Sequence, residues 1–499
     1  MSNGIILAGG RGSRLGPLST QISKALVSIG QRPHIFHQIE LLRAAGCKHI
    51  IVTVSPSTQV QVISALDRAG LYDIGVVIQH TPAGPVDAIL TALNALTLSR
   101  REHDTYVLMS DTFIEEPLER SSVTWFGVAP ALSRRSFCVR DLRGDYIDCV
   151  VQAGTSVTIG AYHFADTTAL FNKAAALMAS KRNTAEVGMG PLLSLYLDVK
   201  TIEFPTWLDI GDAMALSSAR RTRFIARSEH KLSLSRSGLL IKRGKGKQIL
   251  EQRNWMLDQA ALPDDAANLV PRIFSTLPDG YTMEYIDLPT LAELWLYWPG
   301  MPETWAAILQ SVTDRLERDL WWRAKTYNEV ASPVQVASWF AGKALERLTQ
   351  FDHAVAARHF DLLERASEVF TSSSMVRAHG DLNFNNILYS INTGTCKLID
   401  PRGTSFMPLN YELAKLRYSY HAGFSAITHG LFDPETGTPL PDRGHEIAAM
   451  DDFLNGYVSL EQLQVAEGCL LLAGAPLHSK FERDAMIARG VQFITEVVG

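Results

Sequence analysis

From the N-terminus to about Arg220, short apolar runs alternate with amphipathic stretches. No other property of this chain restricts its fold as tightly. Ile5–Ala8, His49–Val54, Gly75–Ile78 and Thr105–Met109 read as buried strands. Between them, Pro33–Ala45, Thr58–Ala69 and Val86–Leu98 read as helices. This strand–helix rhythm predicts an α/β domain built on a Rossmann-like, mixed or parallel sheet with helices on both faces. Ligands of such sheets bind beyond the carboxyl ends of the strands. Gly9-Gly10 and Asp111 both fall at such ends.

The rhythm stops in a Ser- and Arg-rich stretch, Ser217–Ser235, and a domain boundary is expected near residue 226. Residues 1–226 form the first expected domain and 227–499 the second. The second begins with few strands (Leu239–Lys242, Tyr281–Ile286) and continues with many helices. It therefore reads as a two-lobed α+β domain, with a small lobe over about 230–288 and a helical lobe over about 289–499. At 499 residues the chain exceeds one ordinary core. A net charge of −5 argues against a nucleic-acid partner. No apolar run reaches the ~18 residues of a membrane span, so no membrane insertion is expected. Five scattered cysteines with no CxxC pair point to neither a zinc knuckle nor a disulfide framework, and a reducing cytoplasm fits. Oligomeric state leaves no mark in the sequence.

The first strand runs into Leu7-Ala-Gly-Gly-Arg-Gly-Ser-Arg-Leu-Gly16. Glycines at 9, 10 and 12 let a phosphate approach unpaired backbone N–H groups. Arg14 and Lys24 add the positive charge that a triphosphate needs. The run is neither a GxGxxG dinucleotide fingerprint nor a Walker loop. With Lys24-Ala-Leu-Val-Ser-Ile-Gly-Gln-Arg-Pro33, it resembles the opening of the sugar-phosphate nucleotidylyltransferases. Three further matches follow in order: Thr81–Ala88, Leu108–Asp111 and Trp207–Gly211. The resemblance runs from the N-terminus to about Arg220. It implies that Leu7, Ala8, Gly9, Gly10, Gly12 and Gly84 bind a nucleoside triphosphate. Arg14 would hold the triphosphate and Lys24 would orient phosphate. Asp111 and Asp209 would ligate Mg²⁺, and Gly160 and Glu186 would meet the acceptor. Ser23, Ser110, Pro85 and Asp87 depart from the family pattern, the last two where the nucleobase is chosen. CTP is favoured, with UTP and GTP as alternatives.

Near the other end lies His379-Gly-Asp-Leu-Asn-Phe-Asn-Asn-Ile-Leu388, followed by Leu398-Ile-Asp400. In phosphoryl transfer a loop aspartate takes or orients the acceptor hydroxyl's proton, and Asn and Asp ligands hold Mg²⁺ against ATP. Asp381, Asn386 and Asp400 fit those three roles. Lys242 is the expected phosphate lysine, with Glu251 as its ion-pair partner, and Met283-Glu284-Tyr285 the adenine-contacting hinge. This half resembles the aminoglycoside phosphotransferase and choline kinase superfamily over about residues 238–460. Trp295, Trp298, Trp305, Trp321 and Trp322 could cage a quaternary ammonium, although core packing is the commoner use of such residues.

Together the two halves point to a bifunctional enzyme. ATP would phosphorylate a small sugar or alcohol, and the phosphate would then be capped with a nucleotide for surface polysaccharide or lipid precursors. The alternatives are an active kinase carrying a nucleotide-binding regulatory module, a choline kinase/phosphocholine cytidylyltransferase, and a kinase-fold scaffold without transfer.

Overall fold

In the computed structural model the chain divides into two compact units. One comprises Met1–Asp67 and Leu71–Arg223, the other Arg68–Gly70 and Phe224–Gly499. The structure describes residues 2–10, 12–15, 22–29, 32–80, 83–132, 135–141, 143–180, 186–222, 230–235, 238–321, 329–404, 406–433, 436–439 and 443–499. The boundary expected at residue 226 lies outside them, as do Thr81, Pro82 and Trp322.

The N-terminal unit is organised by a seven-stranded mixed sheet. Its strands run in the order Lys200–Glu203, Trp125–Pro130, Ser156–Phe164, Asp104–Met109, Ser2–Leu7, Cys47–Val54, Gly75–Ile78. The four strands of this sheet that precede Ser110 pair in parallel, as their apolar rhythm predicts. The sheet is mixed because Ser156–Phe164 runs antiparallel to both its neighbours. That strand enters the sheet from an antiparallel hairpin, Arg135–Arg140 with Tyr146–Val151, and not from a crossover helix. Ile5, Leu7, Ile51, Ile89, Val107 and Phe126 are buried in the core between sheet and helices.

The C-terminal unit opens with a four-stranded antiparallel sheet. Its order is His230–Leu234, Leu240–Gly244, Gly280–Met283, Ile273–Leu277. Helix Lys247–Ala260 follows the second of these strands in sequence. Most of the remaining chain is helical, interrupted by the hairpin Ile387–Tyr389 with Cys396–Leu398. A buried polar network links three of its helices. Arg417 reaches both oxygens of Asp451, at 2.8 and 2.6 Å, and Glu467 at 2.9 Å. Trp295, Trp298 and Trp305 do not form an empty cage. Their rings meet edge-on, and the Arg443 guanidinium lies 3.8 Å from the Trp295 ring centroid. Among the described residues, no helix is long and apolar enough to cross a membrane.

Candidate active sites

In the N-terminal unit the carboxyl ends of three neighbouring strands converge. Leu7 ends the first and is paired with Thr53 and Met109 on either side. Ala8 donates its N–H to the Thr53 carbonyl at 2.8 Å. Gly9 lies against the Gln79 side chain, whose Oε1 would be 3.2 Å from an added Cβ. Gly10 is open, and Gly12 turns the chain at φ +63° into the short helical turn that carries exposed Arg14. Gln79 also donates to the Gly84 carbonyl at 3.2 Å and to Asp87 at 2.5 Å. It thus joins the glycine run to the second loop. Sequence reasoning passed over Gln79; the signal was a polar residue directly after a strand. It also explains Asp87, one of the departures from the family pattern: its carboxylate fixes Gln79. Gly84 holds φ +94° against the backbone of Val187, beside the exposed Glu186.

Asp111 follows the strand Asp104–Met109, and buried Lys24 lies 3.0 Å from it. Burial alone would raise the Asp111 pKa, but Lys24 and Arg14 together hold it below the ordinary carboxylate range. Asp209 arrives from far along the chain through a two-residue ladder that pairs it with Thr112. Ile210 N–H also donates to the Asp111 carbonyl at 3.0 Å. Gly160 closes the group from the reversed strand, at φ +78°. A Cβ there would meet Thr112 Oγ1 at 2.6 Å and Met109 Cβ at 2.9 Å. Mg²⁺ wants hard oxygen donors and is usually held by one or two carboxylates plus substrate phosphates. Asp209, on the strand paired with Thr112–Phe113, and Asp111, in the turn just before that strand, are two carboxylate-bearing residues that fit that pattern.

Residues 3–123 match the nucleotidyl transferase family. The N-terminal unit therefore carries a nucleotidyltransferase domain. Over 117 residues it is 35% identical to the mannose-1-phosphate guanyltransferase of Pichia angusta, covering 23% of this chain and 32% of that one. Over 118 residues it is 33% identical to the same-named protein of Saccharomyces cerevisiae, with the same coverage. The chain thus spans about a third of the length of these relatives. The CTP:phosphocholine cytidylyltransferase of Streptococcus pneumoniae aligns at 19% identity and TM-score 0.37, over 44% of this chain and 98% of that one. The match of this nucleotidyltransferase domain begins in the first strand and ends beyond Asp111, so Asp209 lies outside it.

In the C-terminal unit, Asn386 Nδ2 donates to the Asp381 carbonyl at 2.7 Å and to its carboxylate at 3.2 Å. Asn386 directly precedes the hairpin and Asp400 lies two residues past it, and Ile399 N–H donates to the Asn386 carbonyl at 3.0 Å. These residues again offer oxygen donors suited to Mg²⁺. Asp400 is the one described non-glycine residue with positive φ, at +57°. Such backbone conformations concentrate at functional sites. Lys242, 1% exposed, lies 2.5 Å from Asp400. The expected Lys242–Glu251 pair is corrected here. Glu251 is partly buried beside Gly403 and pairs with Lys247, one turn back, at 2.8 Å. Glu284 returns to the sheet edge, its N–H donating to the Arg272 carbonyl at 2.8 Å, and Tyr285 follows it, partly buried.

His379 is structural in geometry. Its Nε2 lies 2.9 Å from the Ile399 carbonyl and its Nδ1 accepts from Asp381 N–H at 3.4 Å. Burial pushes its pKa down to about 4, so the ring is neutral. Two residues that sequence reasoning missed complete the loop. Lys415 lies 3.1 Å from Asp381. Buried Glu412 accepts the His379 and Gly380 N–H groups at 2.9 and 2.8 Å. Both sit in a helix whose sequence carries no recognisable motif.

Proposed function

We propose that this chain is a two-step transferase. One repeated observation carries the reading. Each unit sets a buried lysine amine against an aspartate beside a phosphate-type loop: Lys24 on Asp111 at 3.0 Å and Lys242 on Asp400 at 2.5 Å. A triphosphate–metal complex wants those two partners, a cation for phosphate oxygen and a carboxylate for metal.

In the first step the acceptor hydroxyl oxygen bonds to the γ-phosphorus of ATP. The bond from that phosphorus to the β,γ-bridging oxygen breaks, ADP leaves, and Asp381 takes the hydroxyl proton. Lys242 would hold the ATP phosphates, and Asn386 and Asp400 would hold the metal. In the second step a phosphate oxygen of the product bonds to the α-phosphorus of a second nucleotide, and pyrophosphate leaves. Lys24 and Arg14 would balance the charge of the triphosphate, while Asp111 and Asp209 would hold the metal. Bound Mg²⁺ supplies charge neutralisation at phosphorus in both steps. CTP is the nucleotide favoured from the sequence. The match to proteins named as guanyltransferases favours GTP as the second reading.

The test is product analysis by mass spectrometry, with Mg²⁺-ATP and a panel of sugars and polyols, followed by CTP, GTP, UTP or dTTP. Asp381→Asn should reduce ATP-dependent phosphorylation by at least about 10²-fold and leave pyrophosphate release from added sugar phosphate intact. Asp111→Asn should do the reverse. Absence of pyrophosphate from every nucleotide and acceptor would reduce the N-terminal unit to a binding module.

A further inference from the structure

Around Asp381 the C-terminal unit gathers four cationic side chains from three segments. Lys415, on helix Leu409–Tyr420, reaches Asp381 itself. Lys343, at the start of helix Lys343–Phe351, donates to the phenol oxygen of Tyr411 at 3.2 Å. Arg402, two residues after Asp400, donates to the same oxygen at 3.5 Å. Arg347, one turn beyond Lys343, donates to the Ala473 carbonyl at 2.9 Å. Lys343, Arg347 and Arg402 have no carboxylate partner among the described residues. All four are partly buried and none is closed off from solvent.

A phenol oxygen does not neutralise two cations. Burial, together with Arg402, Lys415 and Arg347, pushes the Lys343 ammonium down to about 6, and Asp381 is the acid that opposes this. Glu412, the nearby buried acid, is committed to the backbone of His379 and Gly380. Half-buried like charges are costly unless an anion joins them. The nucleotide phosphates already have Lys242, whereas this cluster flanks the group that takes the acceptor's proton. A cationic acceptor would meet repulsion here, and the tryptophans that would have caged one enclose Arg443 instead.

Resting on the kinase reading above, we propose that the phosphoryl acceptor is an anionic alcohol whose negative group is held by Lys343, Arg347 and Arg402 while its hydroxyl faces Asp381. The anion is a carboxylate or a phosphate ester. Both accept charge-assisted hydrogen bonds from this set. The transfer itself is unchanged: the hydroxyl oxygen gains the γ-phosphoryl group, its proton passes to Asp381, and ADP departs.

The experiment uses the full chain with Mg²⁺-ATP and follows ADP release and the phosphorylated product by mass spectrometry. Glycerate and gluconate probe carboxylates, glycerol 3-phosphate probes phosphate esters, glycerol and sorbitol are neutral, and choline is cationic. One of the two anionic classes should be phosphorylated, with kcat/KM at least about tenfold above the neutral and cationic compounds. Lys343→Gln and Arg402→Gln should each raise the acceptor KM about 10- to 100-fold and leave the ATP KM within about twofold. Lys343→Arg and Arg402→Lys, which keep the charge, should recover most of that loss and so exclude misfolding as its cause. A neutral or cationic acceptor used equally well overturns this inference and leaves the kinase reading standing, as does a rise in the ATP KM in place of the acceptor KM. Failure to bind Mg²⁺-ATP at all removes the kinase reading, and this inference with it.

Discussion

Gly84 shows how a single missing side chain shapes the candidate site of the N-terminal unit. At φ +94°, a Cβ would lie 2.5 Å from the Val187 carbonyl oxygen and 2.7 Å from its nitrogen. Both obstacles are backbone, so neither can swing aside. Gly84→Ala should cost about 1–3 kcal/mol and raise the nucleoside triphosphate KM; thermal unfolding and pyrophosphate-release kinetics check the two halves of that statement. His379 makes the matching case in the other unit. Its pKa falls from 6.5 to about 4 on folding, so the unfolded chain binds more protons between those values. Stability from this residue is present above pH 6.5 and lost as pH falls through 4, about 3 kcal/mol in all. Glu412 acts in the opposite sense. Burial raises it from 4.5 to about 7, so its contribution is present below pH 4.5 and lost as pH rises through 7. The two offset one another between about pH 4.5 and 6.5. In His379→Gln the offset disappears, and urea unfolding followed by tryptophan fluorescence should show stability falling from pH 4.5 to 7.

At the scale of elements, the helix Leu409–Tyr420 holds the His379–Asp381 loop from behind. Glu412 receives two backbone N–H groups, and Ser419 Oγ receives the Phe384 N–H at 2.9 Å. Glu412→Gln turns one acceptor oxygen into a donor and leaves a buried N–H unpaired, a cost of about 1–3 kcal/mol. Hydrogen exchange at residues 379–386 should speed up and, on the proposed kinase reading, phosphorylation should fall through kcat more than through the ATP KM. This helix also marks where sequence reading stops. The parallel strands that precede Ser110 were legible because a parallel strand buried on both faces writes a continuous apolar run. The hairpin Ile387–Tyr389 with Cys396–Leu398 carries its own signal, the turn residues Asn392-Thr-Gly394. Ser156–Phe164 carries no mark of direction, so its reversal was hidden. The two candidate phosphate loops stood out because glycine and carboxylate spacing within one segment is chemistry written locally. Gln79, Lys343, Glu412 and Lys415 belong to the sites only through long-range packing. Their helices and strand ends read as ordinary amphipathic segments. The Lys242–Glu251 pair was a reasonable expectation from spacing. Spacing does not reveal that Lys247, one helical turn before Glu251, competes for the same carboxylate at 2.8 Å.

For the whole molecule, each compact unit holds a complete set of candidate groups drawn from its own residues. If the two-step reading is right, an Asp111→Asn chain and an Asp381→Asn chain mixed in one tube should together restore the nucleotide-linked product from ATP, acceptor and second nucleotide. Mass spectrometry of the mixture, set against each variant alone, checks this. No product from the mixture would mean that the phosphate made by one copy does not serve another.

The lysine seated on aspartate in each unit has a consequence for how the sites load. A bare magnesium ion approaching Asp111 or Asp400 must evict an ammonium that has nowhere else to go. A nucleotide without metal brings phosphate for the lysine and takes from the carboxylate its nearest cation. Only when both arrive does every charge find a counter-ion, so the apparent affinity for each should tighten as the other rises, by the same factor in both directions. The tethered amines would make these sites answer to the metal–nucleotide complex, and answer poorly to either component by itself.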